Sequence, residues 1–450
     1  MRRILVANRG EIACRVIRSC RKMDITTIAI FSEADEHSLH VELADEAICI
    51  GPPEAHKSYL VIDRIIEAAQ STNVDAIHPG YGFLAESATF AEAVIAAGLI
   101  WIGPKSATIA DMGDKQCARS LAQAAGVPVL PGSSRFSPNE TNGLMDEAIR
   151  IGFPLLVKST AGGGGIGMKL VIQPDQLQAA VESTQKLAGR AFGDGTIFLE
   201  RFINSARHIE VQIFGFGDGR VVHLFERDCS VQRRFQKIIE ESPAPNLSEE
   251  VREQMFQAAI ALASQEKYLG AGTVEYVLDA DTEEFFFLEM NTRIQVEHPV
   301  SEMVTGLDIV ELQLRLAGGD DLAELTQDSI VAKGHALEVR LYAENPDKKF
   351  YPSPGILDVL KFPESSPDLR IDTGFRAGDE VTVYYDPLVA KLITHGPDRN
   401  SALRQMTKAL SDVIIEGIHS NTTFLKQIIQ QPAFQNGEVN TTFIERALSR

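Results

Sequence analysis

Several things are scarce in this chain, and each scarcity excludes something. Among 450 residues there are only five cysteines, Cys14, Cys20, Cys49, Cys117 and Cys229. The count is odd and no Cys-x-x-Cys pair occurs, so neither a disulfide framework nor a cysteine zinc site is expected, and a reducing cytosol fits. Basic charge is in deficit: 43 Lys and Arg stand against 62 Asp and Glu, a net charge of −19. Nucleic-acid binding rests on clustered Lys and Arg, so a phosphate-backbone partner is disfavoured. No run approaches the roughly 20 apolar residues of a membrane helix. The apolar run Ile4 to Ala7 is too short for a signal peptide. There is no Gly-Lys-Ser/Thr of a P-loop, no short-period repeat and no low-complexity segment.

What is present reads as an ordinary globular chain, 44% hydrophobic and 23% charged, long enough for about three domains. Short apolar strands at 4–7, 26–31, 76–78 and 100–102 alternate with helical periodicity. That pattern predicts a parallel, doubly wound sheet through about residue 103, within an α/β chain that is α+β overall. Ligands on such sheets sit beyond the strand C-termini, so the turn His78-Pro79-Gly80-Tyr81-Gly82 is a candidate lip of a site. Residues 104–130 read as a helical connector whose second helix opens at Lys115. Strand 155–158 ends in Lys158 and runs into four consecutive glycines, Gly162 to Gly165, before strand 169–172. Without Cβ atoms, amides there can close on phosphate oxygens, which makes a mobile flap.

Further along come helix 175–188, an apolar strand crossed by Glu200, and the alternating His208–Ile213, expected half-buried. The polar run Glu226 to Lys237 reads as a loop with a basic cluster. Helix 249–265 and strand 273–278 follow. Helix 307–317, strands about 335–343 and on to 394, and helices about 399–411 and 420–430 close the chain.

Chemistry concentrates in Phe285 to Pro299. An apolar run, Phe285 to Leu288, is expected to be a buried strand and leads into Glu289, Asn291, Arg293, Gln295 and Glu297. Alternation puts these five on one face if the extended form continues. Two carboxylates and an amide are hard oxygen ligands that suit magnesium, which usually arrives with nucleotide phosphates. A hairpin turning near Thr282 would set Glu275 opposite Glu289. Two carboxylates at about 4 Å repel by roughly 4 kcal/mol at an effective dielectric near 20, so divalent cations between them are the simplest compensation.

Asn8-Arg9-Gly10-Glu11-Ile12-Ala13, His78 to Leu84, the tetraglycine run, Glu226-Arg227-Asp228-Cys229-Ser230 and Glu289 to Pro299 together resemble biotin carboxylases, the ATP-grasp enzymes or domains of biotin-dependent carboxylases. The resemblance runs from about residue 3 to 445. Lys158 to Ala161, Phe198 to Ile203 and Arg340 to Pro346 are most similar to urea carboxylases, and Tyr385-Asp386-Pro387 to acyl-CoA carboxylases. It implies a pre-ATP-grasp domain at 1–113, an ATP-grasp domain at 114–330 with a lid at about 131–203, and a C-terminal domain at 331–450.

The resemblance also implies roles. Lys115 and Lys158 would bind ATP phosphates, covered by the Gly164 and Gly165 amides. Glu200 and the Ile203 backbone would hold adenine, with His208 and Gln232 in the same ATP site. Glu275 and Glu289 would hold two Mg²⁺ or Mn²⁺ ions, with Asn291 assisting. Lys237, Arg293, Gln295 and the Val296 backbone would bind bicarbonate, and Glu297 would be its base. Arg340 would bind the ureido oxygen of biotin, with Tyr81 beside it.

Two departures stand out: Phe235, where many relatives carry His or Asn, and Ile166, where many carry Arg or Lys. They motivate an alternative, an impaired relative kept for nucleotide binding or structure. A carbamoyl-phosphate-type or carboxylate–amine ligase is disfavoured by Arg293 to Glu297 and Arg340. The one Met-Lys, Met168-Lys169, does not form the Ala-Met-Lys-Met turn that carries biotin. The substrate is therefore expected to be biotin on a carrier belonging to another chain, unless this is an excised piece, with a carboxyltransferase partner and a homodimeric assembly.

Overall fold

A computed structural model describes residues 1–138, 141–160, 168–192 and 194–448. The glycines Gly162 to Gly165 and Ile166 lie outside the described residues, and with them the expected cover over phosphates.

The N-terminal sheet has five parallel strands in the order Glu46–Cys49, Thr26–Phe31, Arg3–Val6, Ala76–His78, Ile100–Trp101. Strand order reverses direction beside Arg3–Val6, which opens a crevice at the strand C-termini. Asn8 bridges it: its Nδ2 donates to the carbonyls of Pro79 at 2.7 Å and Tyr81 at 2.8 Å. Gly80 has a φ of +64°, and a Cβ there would come within 3.0 Å of Asn8 Nδ2, so the turn against Asn8 requires glycine. The edge strand Glu46–Cys49 and helix Ile62–Ser71 add to the elements expected here.

The central sheet has eight antiparallel strands in the order Phe285–Asn291, Leu269–Asp279, Ala206–Phe216, Val221–Arg233, Gln236–Ser242, His335–Tyr342, Leu388–Gly396, Leu369–Thr373. Helix Glu249–Gln265 packs Met255, Phe256, Ala259 and Leu262 into one core with Ile209, Val211, Tyr276 and Phe287. Helices Arg399–Asp412 and Thr422–Ile429 cover Val339, Leu341 and Leu392 at the far end. A three-stranded antiparallel sheet, Met168–Val171, Leu155–Ser159, Ile197–Arg201, stands apart with helix Leu177–Phe192 on it. No helix among the described residues is long and apolar enough to cross a membrane.

Four expectations need correcting. Residues 226–237 are not a loop. Val221–Arg233 and Gln236–Ser242 run through them as a hairpin, with Arg233 paired to Gln236 and only Arg234 and Phe235 at the turn, both at positive φ. Their polarity is internal: Arg227 is fully buried, and Asp228 takes Arg207 Nη2 at 2.6 Å. His208–Ile213 is nearly fully buried rather than half-buried, because helix Glu249–Gln265 covers one face and the site's charges fill the other. Leu288 is 48% exposed. Pairing shifts between Glu275/Glu289 and Tyr276/Phe287, so Leu288 is the extra residue of a β-bulge, turned outward. Finally, the extended form ends at Asn291, and a new helix, His298–Thr305, follows directly after Glu297.

Candidate functional site

The hairpin register places Glu275 directly opposite Glu289, as the turn composition predicts. Glu275 is buried at 4% exposure, whereas Glu289 opens to solvent. Glu275 Oε1 is crowded with donors: Lys237 Nζ at 2.9 Å, Asn291 Nδ2 at 2.7 Å and Gln295 Nε2 at 2.8 Å. Its Oε2 lies 2.7 Å from His208 Nε2. Burial works against its charge, but Lys237 and His208 outweigh burial and hold the Glu275 carboxyl well below the usual range. The protein mass around Glu289, and then the charge on Glu275, push the Glu289 carboxyl up. Glu275 is thus compensated from within, while Glu289, at the mouth of the cleft, has no ion-pair partner among the described residues, and a hard divalent cation between the two would supply one. Lys115 lines the same cavity as Glu289 and Asn291, at the start of helix Lys115–Ala124, whose N-cap Asp114 accepts from the Gln116 and Cys117 amides.

Although the strand stops at Asn291, the expected side chains still converge, through a tight turn rather than by alternation. Arg293 donates from Nη2 to Asn291 Oδ1 at 2.9 Å and from Nη1 to Gln295 Oε1 at 2.8 Å, and its Nε reaches Glu86 Oε2 at 2.9 Å. The Asn291 amide oxygen is thus turned to Arg293 rather than toward the carboxylate pair. Lys237 is the hub. Its ammonium touches Glu210 Oε2 at 2.6 Å, Glu275 Oε1 at 2.9 Å and Glu297 Oε1 at 2.7 Å. His208, Glu210 and Glu275 could by proximity hold a metal ion, but Lys237 already supplies the cation on their inner side.

Glu297 sits at the N-cap of helix His298–Thr305, where the helix dipole favours an anion. Its Oε2 accepts from Arg340 Nη2 at 3.0 Å. Lys237, Arg340 and the deeper Arg227 overcome burial and keep the Glu297 carboxyl well below its ordinary value. Arg227 is the floor of the site: it donates to Glu210 Oε1 at 2.5 Å, Gln212 Oε1 at 2.7 Å, Ser301 Oγ at 2.9 Å and Thr273 Oγ1 at 3.2 Å. From below, Lys391 Nζ donates to the Val296 carbonyl at 2.7 Å and lies 3.1 Å from Glu11 Oε1. Tyr81 donates its hydroxyl to the same Glu11 oxygen, so the turn at the N-terminal crevice joins the site.

Lys158 and Glu200 are not hydrogen-bonded to this cluster. They are diagonal neighbours on the small sheet and pair with each other, and Ile203 lies buried just beyond. Gln232 donates to His208 Nδ1 at 2.9 Å and so orients that ring. Phe235 is 80% exposed at its hairpin tip. Sequence reasoning missed Glu210, Arg227, Glu240, Glu86 and Lys391. For Glu210 a signal existed, since it shares the polar face of His208 and Gln212 in an alternating strand.

Known proteins resemble the chain along its whole length. The family model described as biotin carboxylase, N-terminal domain, matches residues 1–109. That described as carbamoyl-phosphate synthase L chain, ATP binding domain, matches 114–325, and that described as biotin carboxylase C-terminal domain matches 338–446. The biotin carboxylase of Nostoc sp. is 48% identical over 443 residues, covering 98% of each chain. The mitochondrial methylcrotonoyl-CoA carboxylase subunit alpha of Mus musculus is 48% identical over 442 residues, and the chain spans 61% of that protein's length. Among solved structures, the biotin carboxylase domain dimer of Hydrogenobacter thermophilus 2-oxoglutarate carboxylase, in complex with MgADP, ADP and bicarbonate, superposes with a TM-score of 0.89 at 40% identity, covering 99% of this chain and 98% of that one.

Proposed function

This chain belongs to the biotin carboxylase family, and we propose that it spends ATP to join bicarbonate to biotin presented by a carrier, the first half-reaction of a biotin-dependent carboxylase. The observation that carries this reading is the single connected network in which a paired carboxylate site, Glu275 and Glu289, shares Lys237 with the Glu297–Arg340 pair.

Bicarbonate is a planar anion and a poor nucleophile. The Arg293 fork, the Lys237 ammonium, the Gln295 amide and the Val296 backbone are grouped to receive it, and Arg293 suits its plane better than an ammonium would. Glu297 then takes its proton as a bicarbonate oxygen attacks the γ-phosphorus of ATP, and ADP leaves with the bridging oxygen. In the ground state Lys237 and Arg340 make Glu297 a weak base. When Lys237 turns to bicarbonate, one of those two cations leaves Glu297, and its basicity rises where the proton must be taken. Magnesium or manganese held by Glu275 and Glu289 would supply charge neutralisation on the phosphates. Lys115 and Lys158 add cations on the nucleotide side, the latter after parting from Glu200, which with Ile203 and His208 would serve the nucleoside.

The product, carboxyphosphate, breaks into carbon dioxide and phosphate. Phosphate takes the proton from the ureido nitrogen of biotin, Arg340 steadies the resulting enolate oxygen, and the nitrogen bonds to carbon dioxide. The carrier and a carboxyltransferase would be the partners, and a dimer the assembly, as in the Hydrogenobacter domain. Five free cysteines, three of them buried, fit a reducing compartment such as the cytosol.

The test is ATP cleavage by the purified chain with magnesium. It should require bicarbonate and rise with free biotin. ATP turnover indifferent to both would refute the proposal.

A further inference from the structure

Behind Arg340 two glutamates face each other across the central sheet. Glu240, on Gln236–Ser242, is the Cα partner of Glu338, on His335–Tyr342, and both are 0% exposed. Directly opposed residues of an antiparallel pair have Cβ atoms about 4.5–5.5 Å apart, near enough for one carboxyl to hydrogen-bond the other. Neither carboxyl oxygen of Glu338 has a hydrogen-bond partner among the described residues. Among the described residues, the cation in ion contact with the pair is Arg340, whose Nη2 lies 2.6 Å from Glu240 Oε1. Two residues along the strand, Arg340 is itself the Cα partner of Lys391, so one buried face carries two acids beside two bases. The charged groups that face the pair are Arg340, Lys391, Lys237 and Glu297. Two carboxylates sealed from water, with one guanidinium in ion contact with Glu240 alone, do not both remain ionised at this spacing. Burial, against the pull of Arg340 on Glu240 and of Lys391 on Glu338, pushes Glu240 up to about 7 and Glu338 well above its ordinary value.

We infer that Glu338 is a neutral acid whose proton is hydrogen-bonded to the Glu240 carboxylate, and that Glu240, held in this way, is the positioning residue for Arg340. The inference rests on the reading of Arg340 as the biotin-binding cation. Arg340 Nη2 is shared between Glu240 Oε1 at 2.6 Å and Glu297 Oε2 at 3.0 Å. Were Glu338 ionised as well, the guanidinium would be over-neutralised and would offer little to an anionic oxygen. With the proton retained on Glu338, Arg340 keeps one fixed anchor. When Glu297 takes the bicarbonate proton, the positive charge it had balanced becomes available to the enolate.

Two measurements on the full chain test this. Infrared difference spectra need no turnover: at pH 7 the C=O stretch of a protonated, buried carboxyl should be present in the wild type and lost in Glu338→Gln. Loss of no such band overturns the proton assignment. In steady-state assays, Glu338→Gln keeps a donor toward Glu240, whereas Glu338→Met fills similar volume without one. The Met variant should lose about tenfold more kcat/KM for free biotin than the Gln variant, the equivalent of one hydrogen bond to a charged group, with equal KM for ATP in both. Equal biotin kinetics for the two variants would overturn the positioning role. Should Glu338→Met fail to fold, Glu240→Gln takes its place; it removes the anchor's charge at constant shape and should cost about the same tenfold, and no loss would count against the inference. If the wild type shows no biotin-dependent turnover, the functional reading fails, while the infrared band still decides where the proton is.

Discussion

Replacing Lys391 with Met should weaken the molecule and its bicarbonate site together. The ammonium is fully buried, with no exposed surface. It lies 3.1 Å from Glu11 Oε1 and 3.8 Å from Asp372 Oδ2, and donates to the Val296 carbonyl at 2.7 Å. At an effective dielectric near 20 the Glu11 contact alone is about 5 kcal/mol of attraction. The cost of burying the ammonium offsets part of it, and breaking a buried pair typically leaves a deficit of about 3–5 kcal/mol, because the abandoned carboxylate stays in place. Asp372 retains Arg370 Nη2 at 2.6 Å, so the lower end of that range applies. An unfolding entropy of roughly 1 kcal/mol/K for a chain of this size turns about 3 kcal/mol into a fall in Tm of about 3 °C. Function should follow by a separate route. Val296 lies between Gln295 and Glu297, and without Lys391 its carbonyl loses the donor that fixes the turn. Calorimetric melts and bicarbonate titrations of ATP cleavage read the two effects. KM for bicarbonate should rise at least about tenfold, the loss of one charge-assisted hydrogen bond, while KM for ATP moves much less. A variant that melts like the wild type, or one that loses stability with bicarbonate affinity intact, would refute the reasoning.

Arg227→Met should be harsher, since it leaves Glu210 with Lys237 as its remaining close cation and strands Gln212; urea melts should show a loss of about 3–5 kcal/mol. Glu297→Gln removes the base at constant shape and should abolish bicarbonate-stimulated ATP cleavage while nucleotide affinity, read by calorimetry with MgADP, survives. The chain should also be acid-sensitive well above the carboxylate range. Burial lowers His40, His78 and His223 each to about 4. All three fold as neutral rings, so their contribution is complete above the unfolded value near 6.5 and is lost as pH falls from there toward 4. At pH 5 each costs about 2 kcal/mol. Urea midpoints should decline between pH 6.5 and 5, and a flat profile there would contradict the assignment. Magnesium at millimolar concentration should raise Tm in the wild type and fail to do so in Glu289→Gln.

The register that joins Glu275 to Glu289 was legible because local chemistry decides it: Asp279 to Glu283 is polar and turn-forming, and the flanking apolar runs can pair in few ways. Helix Glu249–Gln265 was legible for a similar reason. The hairpin through Glu226–Lys237 was not. A polar run signals water only when its partners are unknown, and here they come from far along the chain, Arg227 reaching Thr273 and Ser301, and Arg233 reaching Glu344. Alternation failed as a guide after Asn291 as well. The identities of Arg293, Gln295 and Glu297 pointed to the site, while their convergence comes from the turn that precedes helix His298–Thr305.

Glu338 and Lys391 went unread for the opposite reason, each being a charge flanked on both sides by apolar residues. A single charge flanked by Val, Ile, Leu or Ala on a strand cannot face solvent if that strand lies inside a sheet covered on both sides, so its neighbours in sequence already imply a buried counter-charge. Lys391 within Leu388 to Ile393 implies an acid, and finds Glu11 and Asp372. Glu338 within Ala336 to Leu341 implies a base or a proton. Arg340 is pledged to Glu240 and Glu297, and Lys391 is divided between Glu11 and Val296. That leaves the proton, and a proton kept on Glu338 is what lets a site so rich in carboxylates still present a cation to its substrate.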